Sequence, residues 1–217
     1  AYGNKQVLKG LNLKVLKGQT IGVIGGTGSG KTSLINMIPR FYDATNGQVL
    51  VNGTDVKKYT EEGLRNKIGI VPQKAVLFKG TIRSNLLWGN ESAENDLMEA
   101  LKQAQSYDFV MQKENGIDSV VEQNGRNFSG GQRQRLTIAR ALVRKPEILI
   151  LDDSSSALDY TTDANLRKEI AKLKDMTVFI VSQRTASIMD ADQIVVLDDG
   201  NVMGIGTHKE LLENCEV

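Results

Sequence analysis

The sequence is poor in several residue types, and each shortage narrows what the chain can do. Of its 217 residues, one is cysteine and one is histidine. A single cysteine excludes a disulfide within the chain and suits a reducing cytosol. A single histidine excludes a three-histidine metal site built by this chain alone. Three prolines stand against 21 glycines, a ratio that favours tight turns and phosphate-binding loops over disordered linkers.

The sequence also lacks long hydrophobic runs and an excess of charge of one sign. No apolar run approaches the ~20 residues that cross a bilayer, and we recognise no secretory leader. Lys plus Arg total 27 and Asp plus Glu total 26, a net charge of +1. That balance argues against a sequence-independent grip on nucleic acid, which needs a basic face. We therefore expect a polypeptide that is soluble by itself, with no nucleic-acid partner.

Hydrophobic periodicity predicts an α/β fold. Short apolar runs at 148–152 and 177–181 predict strands, and a glycine-rich turn at 25–30 lies between a predicted strand and a predicted helix. Strands that alternate with helices and end in polar residues indicate a doubly wound parallel sheet. The stretch from 80 to 145 is helical in pattern, and we interpret it as an insertion into that sheet.

The two ends of the sequence carry further strand signals. Residues 7–24 predict two strands around a turn at Lys17-Gly18, so we expect a small antiparallel section to lead the chain. A closing strand pair is predicted around Asp199-Gly200. The first residues, "AYGNKQVLKGLNLKV", begin in mid-pattern without a methionine, so we expect a domain excised from a longer chain.

The stretch "GGTGSGKT", Gly25 to Thr32, matches the phosphate-loop pattern G-x-x-x-x-G-K-[ST]. Glycines let backbone N–H groups converge on phosphates, Lys31 supplies a point charge, and the Thr32 hydroxyl can ligate Mg²⁺. A plain glycine turn is the alternative, but the flanking strand and helix argue for a nucleotide site. Its predicted residues are Gly25, Gly26, Thr27, Gly28, Ser29, Gly30, Lys31, Thr32 and Ser33.

Two carboxylates follow the apolar run of "ILILDD". A strand end would place Asp152 beside the phosphate loop, where it would hold Mg²⁺ through water. Taken alone, an apolar strand that ends in Asp is common, but the phosphate loop makes a coincidence much less plausible. Asp153 follows as a second carboxylate, in a position to activate a water.

The stretch "NFSGGQRQRLTIARAL" predicts a long helix with an unusual start. Ser129 suits the N-cap, and Gly130 and Gly131 leave backbone N–H groups bare. Free amides and the helix dipole make such an end a natural anion site. Because one phosphate loop already serves the chain's own nucleotide, a second anion site suits a nucleotide on another subunit. A capped helix without a ligand is the alternative for Ser-Gly-Gly alone.

These motifs together resemble the ATP-binding cassette (ABC) family over nearly the whole chain. The phosphate loop, "VPQ", "FSGGQ", "LILDD" and "SALD" occur in the order and spacing of that family. Three segments resemble the exporter branch of the family, in which the cassette follows a membrane domain. They are "VPQKAVLFKGTIRSNLLWG", "VVEQNGRNFSGGQ" and "GTHKELL".

The resemblance implies a single cassette over residues 1–217 with a P-loop NTPase (RecA-like) parallel-sheet core. An N-terminal antiparallel β subdomain and an inserted α-helical subdomain would complete it. Residues 1–79 and 146–217 would form the core and the β subdomain, and 80–145 the helical subdomain. The implied cofactors are ATP and Mg²⁺. The implied partners are a transmembrane domain and a second cassette, at the cytoplasmic face of the cell membrane.

The resemblance also assigns roles by position. Tyr2 matches the aromatic residue that stacks on adenine, although a loose strand end is equally compatible with its place. Gln73 would touch Mg²⁺ and the attacking water and sense the membrane domain. Residues Ser129 to Gln132, which include Gly130 and Gly131, would close over ATP on the opposite subunit, with Asp159 at that dimer seam. Glu122 matches a segment that contacts the partner's coupling helices, or it is a solvated surface charge.

Two positions depart from the family pattern at the attacking water. Asp153 stands where the family usually has Glu, and Asp is shorter by one carbon–carbon bond, ~1.5 Å. Gln183 stands where the family usually has a histidine that contacts the γ-phosphate; Gln cannot become cationic. The lone His208 lies elsewhere, where we expect it to cap the last helix. Lys31 and Gln73 complete the expected catalytic set.

These departures leave three hypotheses. The first is one subunit of a heterodimeric exporter with a degenerate site, in which Asp153 and Gln183 make hydrolysis slow. Its intact signature segment, Ser129 to Gln132, would complete an efficient site on a different partner subunit. The second is a homodimer in which Asp153 is an adequate base. The third is a soluble ATP-gated clamp or regulatory module without a membrane partner.

Overall fold

A computed structural model describes residues 7–89 and 91–215, apart from the side chains at 91 and 92. Six strands form the main sheet in the order β10-β9-β1-β8-β7-β4, with all neighbours parallel except β10 against β9. The ten strands are β1 Thr20–Gly25, β2 Leu50–Val51, β3 Thr54–Asp55, β4 Ile68–Val71, β5 Gly80–Thr81, β6 Val120–Val121, β7 Ile148–Asp152, β8 Thr177–Val181, β9 Gln193–Asp198 and β10 Asn201–Gly206.

Within the described residues, eight α-helices connect and flank these strands, and side chains cap several of them. Thr60, Ser129 and Asp159 each accept a hydrogen bond from a backbone N–H of the helix that follows, which satisfies one of its unpaired donors. The helices are α1 Lys31–Met37, α2 Glu61–Arg65, α3 Ile82–Leu86, α4 Leu97–Gln103, α5 Tyr107–Met111, α6 Gly130–Val143, α7 Tyr160–Ile170 and α8 His208–Asn214.

Both faces of the main sheet are covered, as in other parallel sheets. In β7, Leu149 and Leu151 pack into the core that includes α4, α6 and α7, whereas Ile150 packs into the core beneath α1. All three side chains are buried. Because both faces of β7 are buried, its sequence is a continuous apolar run. The strand ends at Asp152, the first polar side chain.

The predicted α/β fold is confirmed, and the strands expected at 148–152 and 177–181 have those bounds. The expected strand before Lys17 is wrong: in the described residues 7–19, only Lys9 forms a backbone bridge, to Asn201. The alternation is nonetheless real, because Leu11, Leu13 and Val15 are half-buried against the core while the residues between them are exposed. Apart from that bridge, residues 7–19 have no ladder partner in the described part of the chain, so their alternation sets side-chain burial without forming a strand.

The antiparallel pieces lie later in the chain than expected. β2 pairs with β3 after α1, and β5 pairs with β6 on either side of α3, α4 and α5. Within the described residues, no strand of the main sheet occurs between β4 and β7. The division into a core and a helical subdomain at 80–145 stays a prediction.

Two smaller expectations concern the C-terminal helix and the membrane. Thr207, not His208, caps α8: its hydroxyl accepts from Glu210 N, and its own N–H donates to the Glu210 carboxylate. His208 is the first helical residue and leaves the capping to its neighbour. No helix in the described part of the chain is long and apolar enough to cross a membrane.

Candidate functional site

The predicted site residues of the core follow the ends of neighbouring parallel strands. β1 ends at Gly25, where the phosphate loop begins; β7 ends at Asp152; and Gln183 lies two residues beyond the end of β8. β1 and β7 both pair in parallel with β8. Because the carboxyl ends of parallel strands share one edge of the sheet, these residues meet there, where open α/β sheets bind ligands.

The phosphate loop has a backbone that only glycine adopts readily. Gly28 and Gly30 have φ of +83° and +101°, in the left-handed region that L-residues avoid. At Gly25 a Cβ atom would lie 2.1 Å from the Leu197 carbonyl oxygen, so no side chain fits. The Gly200 N–H donates to the Ser29 carbonyl over 3.1 Å and fixes the loop to the turn after β9. The loop is therefore held in shape by the sheet edge behind it.

The polar groups of this loop suit an anion. Lys31 Nζ donates to the carbonyls of Gly25 and Gly26 over 2.8 and 2.7 Å, which holds the ammonium over the loop. Gly30 is the N-cap of α1, so no side chain covers the first amides of this helix. The Ser29 hydroxyl is buried without a hydrogen-bond partner among the described residues. A phosphate chain would satisfy such amides and lie beside the ammonium.

A cavity of about 270 Å³ lies at the loop, lined by Gly28, Lys31, Thr32 and Ser33 among others. A larger groove of about 700 Å³ is lined by residues such as Pro146 and Met176, which precede β7 and β8. That groove lies at the amino ends of the strands, away from the phosphate loop. Since ligands of open parallel sheets bind at the carboxyl ends, the smaller cavity is the candidate site.

The donors beside the loop fit a magnesium ion that is shared with phosphate. Thr32 Oγ1 lies 3.5 Å from Asp152 Oδ2. Burial, and secondarily the charge of Asp153, raises the pKa of Asp152 above its ordinary value of 3.8. The described residues contain no cluster of three His, Cys, Asp or Glu side chains that could hold a metal. One carboxylate and one hydroxyl suit Mg²⁺, which keeps waters and phosphate oxygens as its other ligands.

Asp153 is fixed both through its backbone and through its carboxylate. Its φ is +46°, a left-handed conformation that Asp tolerates better than most residues. Its N–H donates to the Val181 carbonyl over 2.9 Å, and its carbonyl accepts from the Ser156 hydroxyl over 2.8 Å. Gln73 Nε2 donates to Asp153 Oδ2 over 3.0 Å. The backbone hydrogen bonds therefore hold the residue in place, and Gln73 orients its short carboxylate.

The neighbour of Gln183 holds the surrounding loop together. The Gln183 side chain is exposed, whereas the Arg184 guanidinium donates to the carbonyls of Ser155, Ser156 and Leu158 over 3.3 to 3.4 Å. These three carbonyls belong to the loop that joins β7 to α7. Gln183 is thus presented by a loop that is tied to the segment after Asp153.

The signature residues begin α6 as the sequence indicates. Ser129 Oγ accepts from Gln132 N over 3.2 Å, and Gln132 Oε1 accepts from Ser129 N over 3.0 Å, a reciprocal cap. A Cβ atom at Gly131 would lie 3.2 Å from the Ala157 carbonyl. The start of α6 therefore lies against the loop that leads to Asp159.

Asp159 caps α7 and accepts from the N–H and the hydroxyl of Thr162 over 2.9 and 2.7 Å. These hydrogen bonds lower the pKa of Asp159. Glu122 is exposed on the segment after β6. Tyr2 lies outside the described residues.

The polar contacts between α6 and the residues on both sides of Gln73 were not predicted from the sequence. Gln134 Nε2 donates to the Pro72 carbonyl over 3.5 Å, and Arg140 donates to the carbonyls of Val76 and Asn85 over 3.1 and 2.9 Å. The sequence signal that could have found them is the polar type of Gln134 and Arg140, which lie next to the buried apolar stripe of α6.

The sheet edge, phosphate loop and adjoining carboxylates define a P-loop nucleotide-binding domain. The model of the ABC transporter family matches residues 8–156, about two thirds of the chain. The chain belongs to the ABC transporter family, as an ATP-binding domain of the exporter type.

Named relatives share this assignment. The chain is 43% identical over 215 residues to YfiB of Bacillus subtilis, an uncharacterised ABC transporter ATP-binding protein, with coverage of 99% of this chain and 37% of YfiB. It is also 43% identical over 208 residues to a Staphylococcus aureus protein provisionally described as a multidrug export ATP-binding/permease protein, with coverage of 95% and 36%. The chain thus spans little more than a third of the length of these relatives.

A solved structure agrees closely with the fold. The structure of a bacterial Atm1-family ABC exporter with ATP bound matches with a TM-score of 0.93 and 35% identity, with coverage of 98% of this chain and 38% of that chain.

Proposed function

We propose that the chain is the ATP-binding and hydrolysing cassette of an ABC exporter whose own site hydrolyses ATP slowly, while its signature completes the site of a partner cassette. The observation that carries the slow site is Asp153, a short carboxylate fixed through its N–H, its carbonyl and Gln73. ATP would then act at this site mainly as a bridge between two subunits.

The roles follow from the position of each group. The phosphate loop, Gly25 to Ser33, would bind the phosphates, with Lys31 nearest to their charge, and Tyr2 is proposed to stack on adenine. Thr32 and Asp152, with Gln73, would hold Mg²⁺, which supplies charge stabilisation when bound.

Slow hydrolysis follows from reach and charge. A general base must lie about 2.6 to 3.2 Å from the proton donor, and the Asp arm is ~1.5 Å shorter than Glu. A misplacement of about 1 Å can lower the rate on the order of 10²-fold. Gln183 can donate a hydrogen bond to a phosphate but adds no positive charge. A water bridge keeps some activity, so we expect a slow site and not a dead one.

The signature supports a role in trans. Ser129 and Gly130 are exposed, and a Cβ atom at Gly130 would meet nothing within 4 Å, so the start of α6 is open to an approaching ligand. Gly131 and the Ser129–Gln132 cap set the shape of this helix end. We propose that it closes over ATP of the partner cassette with Asp159 at the seam, and that the partner is a different subunit.

A membrane-domain partner is supported by exposed apolar side chains in the part of the chain that follows Gln73. The Phe78 and Trp88 rings stack with centroids 4.2 Å apart, and their side chains are 40% and 57% exposed. Val120, 62% exposed, lies on β6 two residues before Glu122. Exposed aromatic residues of this kind mark interaction sites. The S. aureus relative is described as an ATP-binding/permease protein, so we propose that a transmembrane domain of the same or an associated chain docks here, at the cytoplasmic face of the membrane.

A complementation experiment tests the proposal. The first variant combines Asp153→Glu and Gln183→His with Ser129→Arg, so it has a competent site but no usable signature. The second component is the wild-type chain, with a sound signature and a slow site. We expect each to hydrolyse ATP slowly alone and the mixture to hydrolyse it at least about tenfold faster.

A control mixture replaces the wild-type chain with Ser129→Arg alone, which we expect to give no gain. Wild-type turnover as fast as that of the Asp153→Glu variant would instead favour a symmetric homodimer. Absence of an upstream membrane domain in the parent reading frame, with no associated permease, would favour the soluble clamp.

A further inference from the structure

Among the described residues, Arg140 on helix α6 makes its polar contacts with carbonyl groups and an aromatic face. Its guanidinium donates to Asn85 Oδ1 over 2.8 Å, to the Asn85 carbonyl over 2.9 Å and to the Val76 carbonyl over 3.1 Å. It also lies 5.3 Å from the centroid of the Phe78 ring. None of the ion pairs among the described residues includes Arg140.

A half-buried guanidinium without a carboxylate partner has an energetic cost, which its hydrogen bonds must offset. Burial lowers the pKa of Arg140 to about 10. Lysine could not replace these contacts, because its ammonium lacks the planar set of donors that reaches several carbonyls at once. The contacts therefore depend on this particular side chain and on the segment that supplies the carbonyls.

That segment runs directly from Gln73 to α3. Asn85 is buried and closes it, because its side chain accepts from Phe78 N and donates to the carbonyls of Phe78 and Thr81 over 2.8 to 2.9 Å. Arg140 shares the Asn85 oxygen that receives the Phe78 N–H. The shape of the segment is thus set by one buried amide and one guanidinium.

A second contact holds the other end of the same segment. Gln134, buried on α6, donates to the carbonyl of Pro72, the residue before Gln73. α6 therefore contacts the chain on both sides of Gln73, at Pro72 and at Val76. Gln73 in turn donates to Asp153, so its approach to the carboxylate depends on where α6 lies.

We propose that Arg140, together with Gln134, positions Gln73 by holding the segment from Pro72 to Asn85 against α6. This inference rests on the proposed function, because it links the signature end of α6 to the chain's own hydrolytic site.

The structural test uses nuclear magnetic resonance on the whole 217-residue domain. Arg140→Lys keeps the charge but loses the set of carbonyl contacts. We expect the hydrogen-exchange rate of the Phe78 backbone amide to rise about tenfold or more. We also expect the Gln73 side-chain amide signal to shift as it does in the Asp153→Asn variant. That signal is assigned by its loss in the Gln73→Ala variant. The matched control is Arg144→Lys at the C-cap of the same helix, whose side chain donates to Asn66; it leaves both signals in place.

A kinetic test asks whether Arg140 acts through Gln73. In single-turnover hydrolysis, Arg140→Lys lowers the rate several-fold without a change in the dissociation constant for ATP. In the Gln73→Ala background the same substitution has no further effect, because the group that it positions is gone. Gln134→Met, which keeps the volume but removes the donor, should behave alike, and it replaces Arg140→Lys if that variant does not fold.

Two results would overturn the inference: an unmoved Gln73 side-chain signal in the folded variant, or multiplicative rate losses in the double variant. If no variant, including wild type and Asp153→Glu, hydrolyses ATP, the proposed hydrolytic function fails instead. The resonance result alone then decides whether Arg140 and Gln134 position Gln73.

Discussion

Gln73 Nε2 donates to Asp153 Oδ2 over 3.0 Å, which joins the segment after β4 to the carboxylate after β7. The two residues are 80 positions apart in the chain and meet because their strands are neighbours in the sheet. In this arrangement the carboxylate already has a hydrogen-bond donor. The remaining lone pairs of the carboxylate, including those of Oδ1, can still accept a proton from a water.

Asp153→Glu should raise the rate of single-turnover ATP hydrolysis by about 10- to 100-fold, because the longer arm brings the carboxylate within reach of the attacking water. Since φ at this position is +46°, Glu should also lower the free energy of unfolding by up to about 1 kcal/mol. Rapid-quench measurement of bound ATP and urea unfolding check the two effects. Asp153→Asn is the control, with no gain in rate; equal rates for Asp and Glu would contradict the short-arm explanation.

Gln183→His should add the pH dependence of an imidazole to hydrolysis at this site. An imidazole titrates near about pH 6.5, whereas the Gln amide has no charge to lose. In the Asp153→Glu background, we expect hydrolysis to change several-fold between pH 5.5 and 8, a range set by that titration. The same profile with Gln183 retained provides the control. Identical profiles with and without the histidine would show that this side chain does not act at the phosphate.

The sequence signals for the candidate site are local, so the positions of these residues at the sheet edge could be predicted, whereas their roles stay a prediction. Each pattern spans no more than about a dozen consecutive residues: the phosphate loop, the strand that ends in Asp152, and the helix cap at Ser129. Parallel strands then bring their carboxyl ends to the same edge of the sheet. The contacts of Arg140 could not be predicted in this way, since they join residues 55 and 64 positions apart. Their acceptors are largely backbone carbonyls, which every residue carries and no pattern marks.

The error at the N-terminal segment has a different cause. Leu11, Leu13 and Val15 alternate as in a strand and are half-buried, but a strand also needs a backbone partner in register. Periodicity reports which side chains face the core and does not report what lies beside the backbone. For the same reason, the sequence pattern did not predict that the antiparallel pair of β2 and β3 would follow α1.

Asp152→Asn should raise the thermal unfolding midpoint of the nucleotide-free domain at pH 7 in EDTA, on the order of 2 °C. Burial, then the charge of Asp153, raises the pKa of Asp152 above 3.8, so the folded state binds this proton more tightly than the unfolded state. The stabilising contribution is complete below about pH 3.8 and is lost as the pH rises through the raised pKa. At neutral pH the ionised carboxylate therefore destabilises the domain, and Asn removes that cost.

The same reasoning predicts that Mg²⁺ with ATP reverses the order of stability. Bound Mg²⁺ favours the ionised Asp152, so the wild-type domain should gain more from the ligand than the Asn variant. Calorimetry at pH 7 and near pH 4.5, with and without Mg²⁺ and ATP, checks both statements. An Asn variant that is less stable in EDTA, or that gains equally from Mg²⁺ and ATP, would contradict the assignment of Asp152 to the metal.

Lys31→Met should weaken ATP binding by on the order of 10- to 100-fold, the loss expected for a charged hydrogen bond to phosphate. The ammonium is held over the loop by the carbonyls of Gly25 and Gly26, so it is in place before the ligand arrives. Met keeps the aliphatic stem and removes only the charge. Titration with a fluorescent ATP analogue measures the change, with Lys58→Met, on the exposed turn after β3, as the control that retains affinity. Equal affinity of the Lys31 variant and wild type would mean that the nucleotide binds away from this loop, and the roles inferred for Thr32, Asp152 and Asp153 would fall with it.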